Sequence, residues 1–145
     1  MIDIENIVFD TVYNALNTAY GSTYPDMTIY GEYVPAPSGF PSVQIVEADN
    51  YTYTRTQDEQ LTEHNARLMY TVDVYTDNIT GKKSLAKQIA NTVDTEMQNM
   101  KFTRTMYSQT PNVDRTIYRI TMRYEAVVAE PKTIDGNTVY QMYRQ

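Results

Sequence analysis

The sequence predicts an α+β protein, with a mainly antiparallel sheet of four to five strands, two helices on one face and a C-terminal β-hairpin. Three observations lead to this fold. Residues 3–20 and 82–99 carry apolar side chains at helical spacing. The segments between and after them alternate apolar and polar residues, as half-buried strands do. Asp135-Gly136 lies between two short strand-like runs, which is a strong hairpin signal.

The predicted order is helix, three strands, helix, two strands and the terminal hairpin. For the first helix, Asp3 and Glu5 suit the positive first turn and Gly21 suits the residue after the last turn. Its apolar stripe is Ile4, Ile7, Val8, Val12, Ala15, Leu16 and Ala19. The stripe of the second helix is Leu85, Ala86, Ile89, Val93, Met97 and Met100.

Three strands are expected between the helices. The first covers residues 27–34, interrupted at Gly31, and a connector with three prolines in seven residues follows at 35–41. The second strand begins at Ser42 and the third covers residues 66–77. They flank a polar segment rich in acidic residues, which predicts a hairpin with a long protruding tip. The tip residues of interest are Asp58, Glu59, Glu63 and His64.

The fifth strand, at residues 114–128, has two contrasting faces. The even-numbered residues, which share one side of the strand, form its apolar parity: Tyr118, Ile120, Met122, Tyr124, Ala126 and Val128. The opposite parity carries Arg115, Arg119 and Arg123. We expect the apolar side to lie under the helices and the arginine side to face away from them. The arginines then pair with Asp73, Glu47 or Glu125 on neighbouring strands, or they form a subunit interface or a lining that meets phosphate.

The composition is that of an ordinary globular domain. The chain has 145 residues, 41% hydrophobic and 21% charged, and no cysteine for a disulfide or a thiolate site. Its net charge of −6 argues against general adhesion to nucleic acid. Fourteen tyrosines suit half-exposed sheet faces or subunit interfaces. Without a signal-peptide pattern or a long apolar segment, we expect a soluble protein made in a cytoplasm.

The residue types needed for catalysis are scarce. His64 is the only histidine, and it falls in the predicted exposed tip. One imidazole without cysteine provides almost none of a transition-metal site, and the acidic segment lacks the spacing of a calcium loop. The sequence therefore predicts a protein that is not an enzyme and binds no cofactor or metal.

The overall pattern resembles the tail terminator family of long-tailed, non-contractile phages and related minor tail and neck proteins. The resemblance covers about residues 2–128. It rests on the order of the predicted elements and on their patterns of apolar and polar residues. It comprises the opening helix "MIDIENIVFDTVYNAL", the connector "PAPSGFPSVQI", the strand "ARLMYTVDVYTD", the helix "SLAKQIANTVDTEM" and the closing strands "FTRTMYSQTPNVDRTIYRITMRYEAVV". It implies a terminator-like domain at 1–130 and a hairpin extension at 131–145.

The resemblance also implies a structural role in the virion. Such proteins form a ring, here expected to have six subunits, at the head-proximal end of the tail tube. They end tube growth and join the tail to the neck, so the implied partners are the tube protein, a neck or stopper protein, and genomic DNA that passes without sequence-specific binding. Two alternatives remain: another neck component, such as a joining, stopper or tail completion protein, and a small cellular ligand-binding domain.

Overall fold

The computed structural model describes residues 2–35, 37–52, 65–77, 82–109, 116–129, 132–139 and 142–143. Within these residues the chain forms two helices, α1 (Glu5–Tyr20) and α2 (Lys82–Asn99). The first five strands all belong to the main sheet: β1 (Thr28–Tyr30), β2 (Ser42–Thr52), β3 (Asn65–Asp77), β4 (Thr103–Gln109) and β5 (Ile117–Ala129). Three short strands follow them: β6 (Lys132–Ile134), β7 (Asn137–Val139) and β8 (Met142–Tyr143).

The strands confirm the α+β prediction and its order of elements. The main sheet has the order β1-β2-β3-β5-β4, and the two-residue β8 also pairs with β5. In this sheet the described pairs β2–β3, β3–β5, β4–β5 and β5–β8 are antiparallel, whereas β1 runs parallel to β2. The sheet is therefore mixed, because the connector after β1 brings the chain back in its original direction.

The first strand is much shorter than residues 27–34. After Tyr30 the chain leaves the sheet edge, and the backbone of Val34 bonds to a side chain instead of a strand. The Val34 amide donates to Gln44 Oε1 at 3.1 Å, and Gln44 Nε2 donates to the Val34 carbonyl at 2.7 Å. A buried glutamine thus satisfies the peptide groups that a longer β1 would have paired.

The helix α1 begins later and buries a narrower face than the sequence predicts. The amide of Glu5 donates to Asp3 Oδ1 at 3.0 Å, which places Asp3 ahead of the helix. Val8, Val12 and Leu16 are buried, but Ile7 is 43% exposed. Gly21 follows the helix with φ −58°, so its freedom to adopt a left-handed conformation is not used.

The helix α2 has the predicted bounds and an unpredicted ending. The Lys101 amide donates to the Gln98 carbonyl at 2.9 Å, and the Phe102 amide donates to the Met97 carbonyl at 3.0 Å. This pair of bonds is a Schellman motif, with Lys101 in the left-handed region at φ 73°. Phe102 is consequently directed into the core, where its ring meets the Tyr70 ring edge-on at 5.4 Å between centroids.

The apolar parity of β5 lies in the core shared with the helices, as predicted. All six of its residues from Tyr118 to Val128 are buried. The hydroxyl of Tyr124 donates to Asp94 Oδ1 on α2 at 2.8 Å, which joins the strand to the helix above it. The aligned residues of β3 complete this face of the sheet: Ala66, Leu68, Tyr70, Val72 and Val74.

The predicted C-terminal hairpin is present. β6 and β7 pair antiparallel, with Ile134 opposite Asn137. Asp135 and Gly136, between them, have φ values of 51° and 79°. Two consecutive positive φ values are what a type I′ turn requires, and Asp-Gly is a preferred sequence for it.

Candidate functional site: the arginine face of the sheet

The sheet face opposite the helices brings the predicted arginine residues beside polar side chains of β3. We call this surface the arginine face; across β3 and β5 it consists of Arg67, Met69, Thr71, Asp73, Tyr75, Arg119, Thr121, Arg123 and Glu125. In the register of the two strands, Tyr75 lies opposite Arg119, Asp73 opposite Thr121, and Thr71 opposite Arg123. Because alternate residues point to the same side, these pairs share one surface.

Asp73 is the centre of a polar network on this face. Arg119 Nε donates to Asp73 Oδ1 at 3.0 Å, and Thr121 Oγ1 donates to the same oxygen at 2.6 Å. The carboxylate side chain is 8% exposed and the guanidinium side chain 24%. The pairing of Arg119 with Asp73 that the sequence suggested is therefore formed, in a largely desolvated setting.

Tyr75 completes the network beside Arg119. The guanidinium carbon of Arg119 lies 5.3 Å from the centroid of the Tyr75 ring, close enough for a cation–π contact. Burial and the nearby Asp73 carboxylate raise the pKa of Tyr75 to about 12, although Arg119 acts in the opposite direction. The phenol therefore stays protonated at neutral pH and acts as a packing surface for the arginine.

A second ion pair flanks the network. Arg67 Nη2 lies 2.8 Å from Glu125 Oε2, across β3 and β5. The guanidinium carbon of Arg67 also lies 5.8 Å from the centroid of the Tyr51 ring on β2. Glu125 thus pairs with an arginine of β3, not with one of the arginines on its own strand.

Tyr33 and Val34, just before the proline-rich connector, lie at one end of the arginine face. Val34 is held by Gln44, and Tyr33 contributes to the electrostatic environment of both Tyr75 and Arg119. At the other end Arg123 is exposed, and within the described part of the chain it has no hydrogen bond or ion pair from its guanidinium. On this face, Arg119 is engaged in contacts within the chain, whereas Arg123 is accessible from outside.

The prediction that Glu47 lies on this face is wrong. Glu47 is aligned with Tyr70, whose ring is in the core, so it has the parity of the helix side. There it accepts a 3.3 Å hydrogen bond from Asn50 Nδ2. Burial, followed by the neighbouring carboxylates of Glu5 and Asp3, raises its pKa. Beyond the shift of register between Glu47 and Asp49, the odd-numbered residues of β2 take the parity of the arginine face, so Asp49 is aligned with Met69.

Several predicted residues lie outside the described residues. These are Arg115 and the four residues of the predicted hairpin tip, Asp58, Glu59, Glu63 and His64. The strands that flank the tip, β2 and β3, do pair antiparallel. The interface or lumen role of Arg115 and the protruding position of the four tip residues remain predictions.

Sequence reasoning missed two polar contributors. Gln44 is fully buried and holds the backbone of Val34, but a lone glutamine in a strand does not indicate this role. Thr121 alternates with Arg119 and Arg123 along β5, and its hydroxyl donates to the Asp73 carboxylate that Arg119 also binds. A threonine between two arginines on one strand face could have indicated this role. Its hydroxyl can donate to the same carboxylate that a neighbouring arginine binds.

Most charged side chains of the arginine face bind one another across β3 and β5. Across the described residues, no group of three or more His, Asp or Glu side chains is placed to hold a metal ion. A groove of about 280 Å³ lies between α1 and β1, away from the arginine face, and is lined by Tyr13, Asn17, Tyr24 and Tyr30 among others. Neither described helix combines the length and apolar character needed to cross a bilayer.

Comparison with known proteins adds no assignment. No protein-family model matches the chain, and no curated protein matches it. The resemblance to tail terminators consequently stays a prediction from the order of the elements and their residue patterns.

Proposed function

We propose that this protein is a structural component of a phage tail, which forms a ring, expected to be hexameric, at the head-proximal end of the tail tube. It ends tube polymerisation there and presents a surface to the neck. The observation that carries the proposal is the sheet with helices on one face and the arginine face on the other, in the element order that the resemblance implies. No enzymatic step is part of this role.

The arginine face supports a role in contact with a neighbouring molecule such as the tail tube. Arg119 and Arg67 are each bound to a carboxylate within the chain, so they give this surface a fixed shape. Arg123 is exposed on the same surface and available to a neighbouring molecule. Arginine and tyrosine are enriched in protein interfaces, because both combine a large apolar contact area with hydrogen-bonding groups.

The overall charge suits a protein that surrounds DNA without holding it. Binding to the DNA backbone depends on Lys and Arg that displace counterions from phosphates. The net charge of −6 makes such contacts unfavourable outside local basic patches. A lumen formed by this protein therefore lets DNA pass during packaging or ejection.

The proposal is tested by adding the purified protein to tail tube protein while the tubes polymerise. Electron microscopy is expected to show added density at one tube end and growth stopped at that end. The control is an equal amount of the Arg123→Glu variant, which we expect to cap tubes poorly. Tubes that keep growing at both ends in the presence of wild-type protein contradict the proposed function.

A further inference from the structure

Charge is strongly segregated along this chain. Residues 1–54 contain seven Asp and Glu and no Lys or Arg. Six of the seven acidic residues are exposed: Asp3, Glu5, Asp10, Asp26, Glu32 and Asp49. They belong to α1, β1, β2 and the segments around them, and we call this region the acidic edge.

The opposite charge is concentrated in α2 and β4. The exposed cations there are Lys83, Lys87, Lys101 and Arg104, which we call the basic edge. Two carboxylates of α2 offset part of this charge: Asp94 pairs with Arg104 at 3.0 Å, and Glu96 is half-buried on the same helix. The basic edge therefore retains a net positive charge.

The sheet topology separates these two regions. β1 is at one end of the strand order and β4 is at the other, with β2, β3 and β5 between them. The helix α1 lies beside β1, since Tyr13 and Asn17 line a groove together with Thr28 and Tyr30. The helix α2 lies beside β4, since its Asp94 binds Arg104. Among the described residues, exposed acidic side chains thus gather at one edge and exposed basic side chains at the other.

We infer that these two edges bind each other between copies of this chain, with the acidic edge of one copy against the basic edge of the next. The inference rests on the proposed function, because it names the surfaces through which the ring forms. A contact between two different surfaces of identical subunits repeats head to tail, and it forms a closed ring when the rotation between subunits closes. Charge complementarity guides the encounter and fixes the order of the edges.

Both edges also carry the aromatic contact area that a stable interface needs. Tyr13 at the acidic edge is 41% exposed and Tyr107 at the basic edge is 46% exposed. The groove beside Tyr13 is also lined by Tyr24 and Tyr30. Tyrosine rings are suited to cation–π contact with the lysine or arginine side chains of another copy. Arg104 lies 5.7 Å from the Tyr107 centroid, so the basic edge presents an arginine and an aromatic ring together.

The test uses charge reversal on the full chain, followed by analytical ultracentrifugation. The acidic-edge variant carries Asp10→Lys and Glu32→Lys, and the basic-edge variant carries Lys83→Glu and Lys87→Glu. All four positions are exposed, and glutamates near the start of α2 suit the helix dipole, so folding is expected to persist. The matched control carries Asp10→Glu and Lys87→Arg, which keep the charges, and circular dichroism verifies the fold of every variant.

The wild type and the control are expected to form the same oligomer, which dissociates as salt rises to about 1 M, where the Debye length is about 3 Å. Each single-edge variant should self-associate about tenfold more weakly or worse. A mixture of the two variants, and one chain with all four changes, should recover association because opposite charges again face each other.

Two results overturn the inference. An oligomer that is insensitive to either reversal means that other surfaces form the ring, and the tube-capping function then stands. A wild-type chain that stays monomeric at low salt and high concentration also overturns it, and the tube-capping experiment then decides the proposed function separately.

Discussion

Asp73 accepts hydrogen bonds from two side chains of β5 and is nearly buried, so its loss leaves both donors without their acceptor. We expect Asp73→Ala to lower the free energy of unfolding by about 2–3 kcal/mol, less than for a fully buried pair because Arg119 is partly exposed. Urea denaturation measures this. The control is Asp49→Ala, an exposed carboxylate on the same sheet, and an equal effect of both substitutions contradicts the account.

Arg123 and Arg119 are expected to respond differently to charge reversal, although they lie on the same strand face. Arg123→Glu should change the stability of the monomer by about 0.5 kcal/mol or less, because it is an exposed site without a partner among the described residues. Arg119→Glu should destabilise the monomer, because it places a second carboxylate against Asp73. Only Arg123→Glu therefore isolates assembly from folding. Comparable unfolding midpoints for the two variants would show that the Arg119–Asp73 pair contributes little.

Glu47 gives the protein a specific dependence on pH. Its raised pKa means that the folded chain binds more protons than the unfolded chain between the ordinary glutamate pKa and the raised value. The contribution of this group to stability therefore falls as pH rises through that window. We expect Glu47→Gln to be more stable than wild type above the window and to lose this advantage as pH falls below it.

The Glu47→Gln comparison is made by urea denaturation at a series of pH values. The glutamine keeps an oxygen that can accept from Asn50 Nδ2, so the hydrogen bond is retained. The other carboxylates are common to both proteins and cancel in the difference. A difference in stability that does not change with pH would mean that burial and the carboxylates of Glu5 and Asp3 do not raise the pKa of Glu47.

At the scale of elements, the end of α2 stores backbone strain that glycine relieves. Lys101 adopts φ 73°, a conformation that is unfavourable for residues with a Cβ atom. We expect Lys101→Gly to raise the free energy of unfolding by about 0.5–1 kcal/mol. The control Lys101→Ala removes the same charge and keeps the Cβ, so it should bring no such gain in a thermal or urea melt. Equal stabilisation by both would instead indicate relief of charge repulsion.

The elements show which patterns in the sequence are informative. The bounds of α2 and the two-faced character of β5 were predictable, because long periodic segments have a single favourable burial pattern. The early end of β1 was not predictable, since it depends on a hydrogen bond between Val34 and Gln44, ten residues apart. The Schellman ending at Lys101 was hidden because its usual signal, glycine, is missing.

At the scale of the whole molecule, the candidate site was only partly predictable. Strand parity named Asp73 as one of three candidate carboxylates for the arginines, and the register of β3 against β5 selects it for Arg119. Glu47 was misplaced, because its parity depends on the register of β2, which the sequence does not set alone. The charge segregation is visible in residues 1–54, but only the strand order shows that acidic and basic regions lie at opposite edges.

The central claim is that this protein is a structural part of a phage tail that fixes its length. The most direct measurement is electron microscopy of particles assembled without this protein, with the tail lengths and attached heads counted. The account predicts overlong or variable tails without heads, restored to normal when the wild-type chain is supplied. Tails of normal length beside unattached heads would contradict the terminator role and indicate a joining or stopper protein, and intact particles would contradict a structural role altogether.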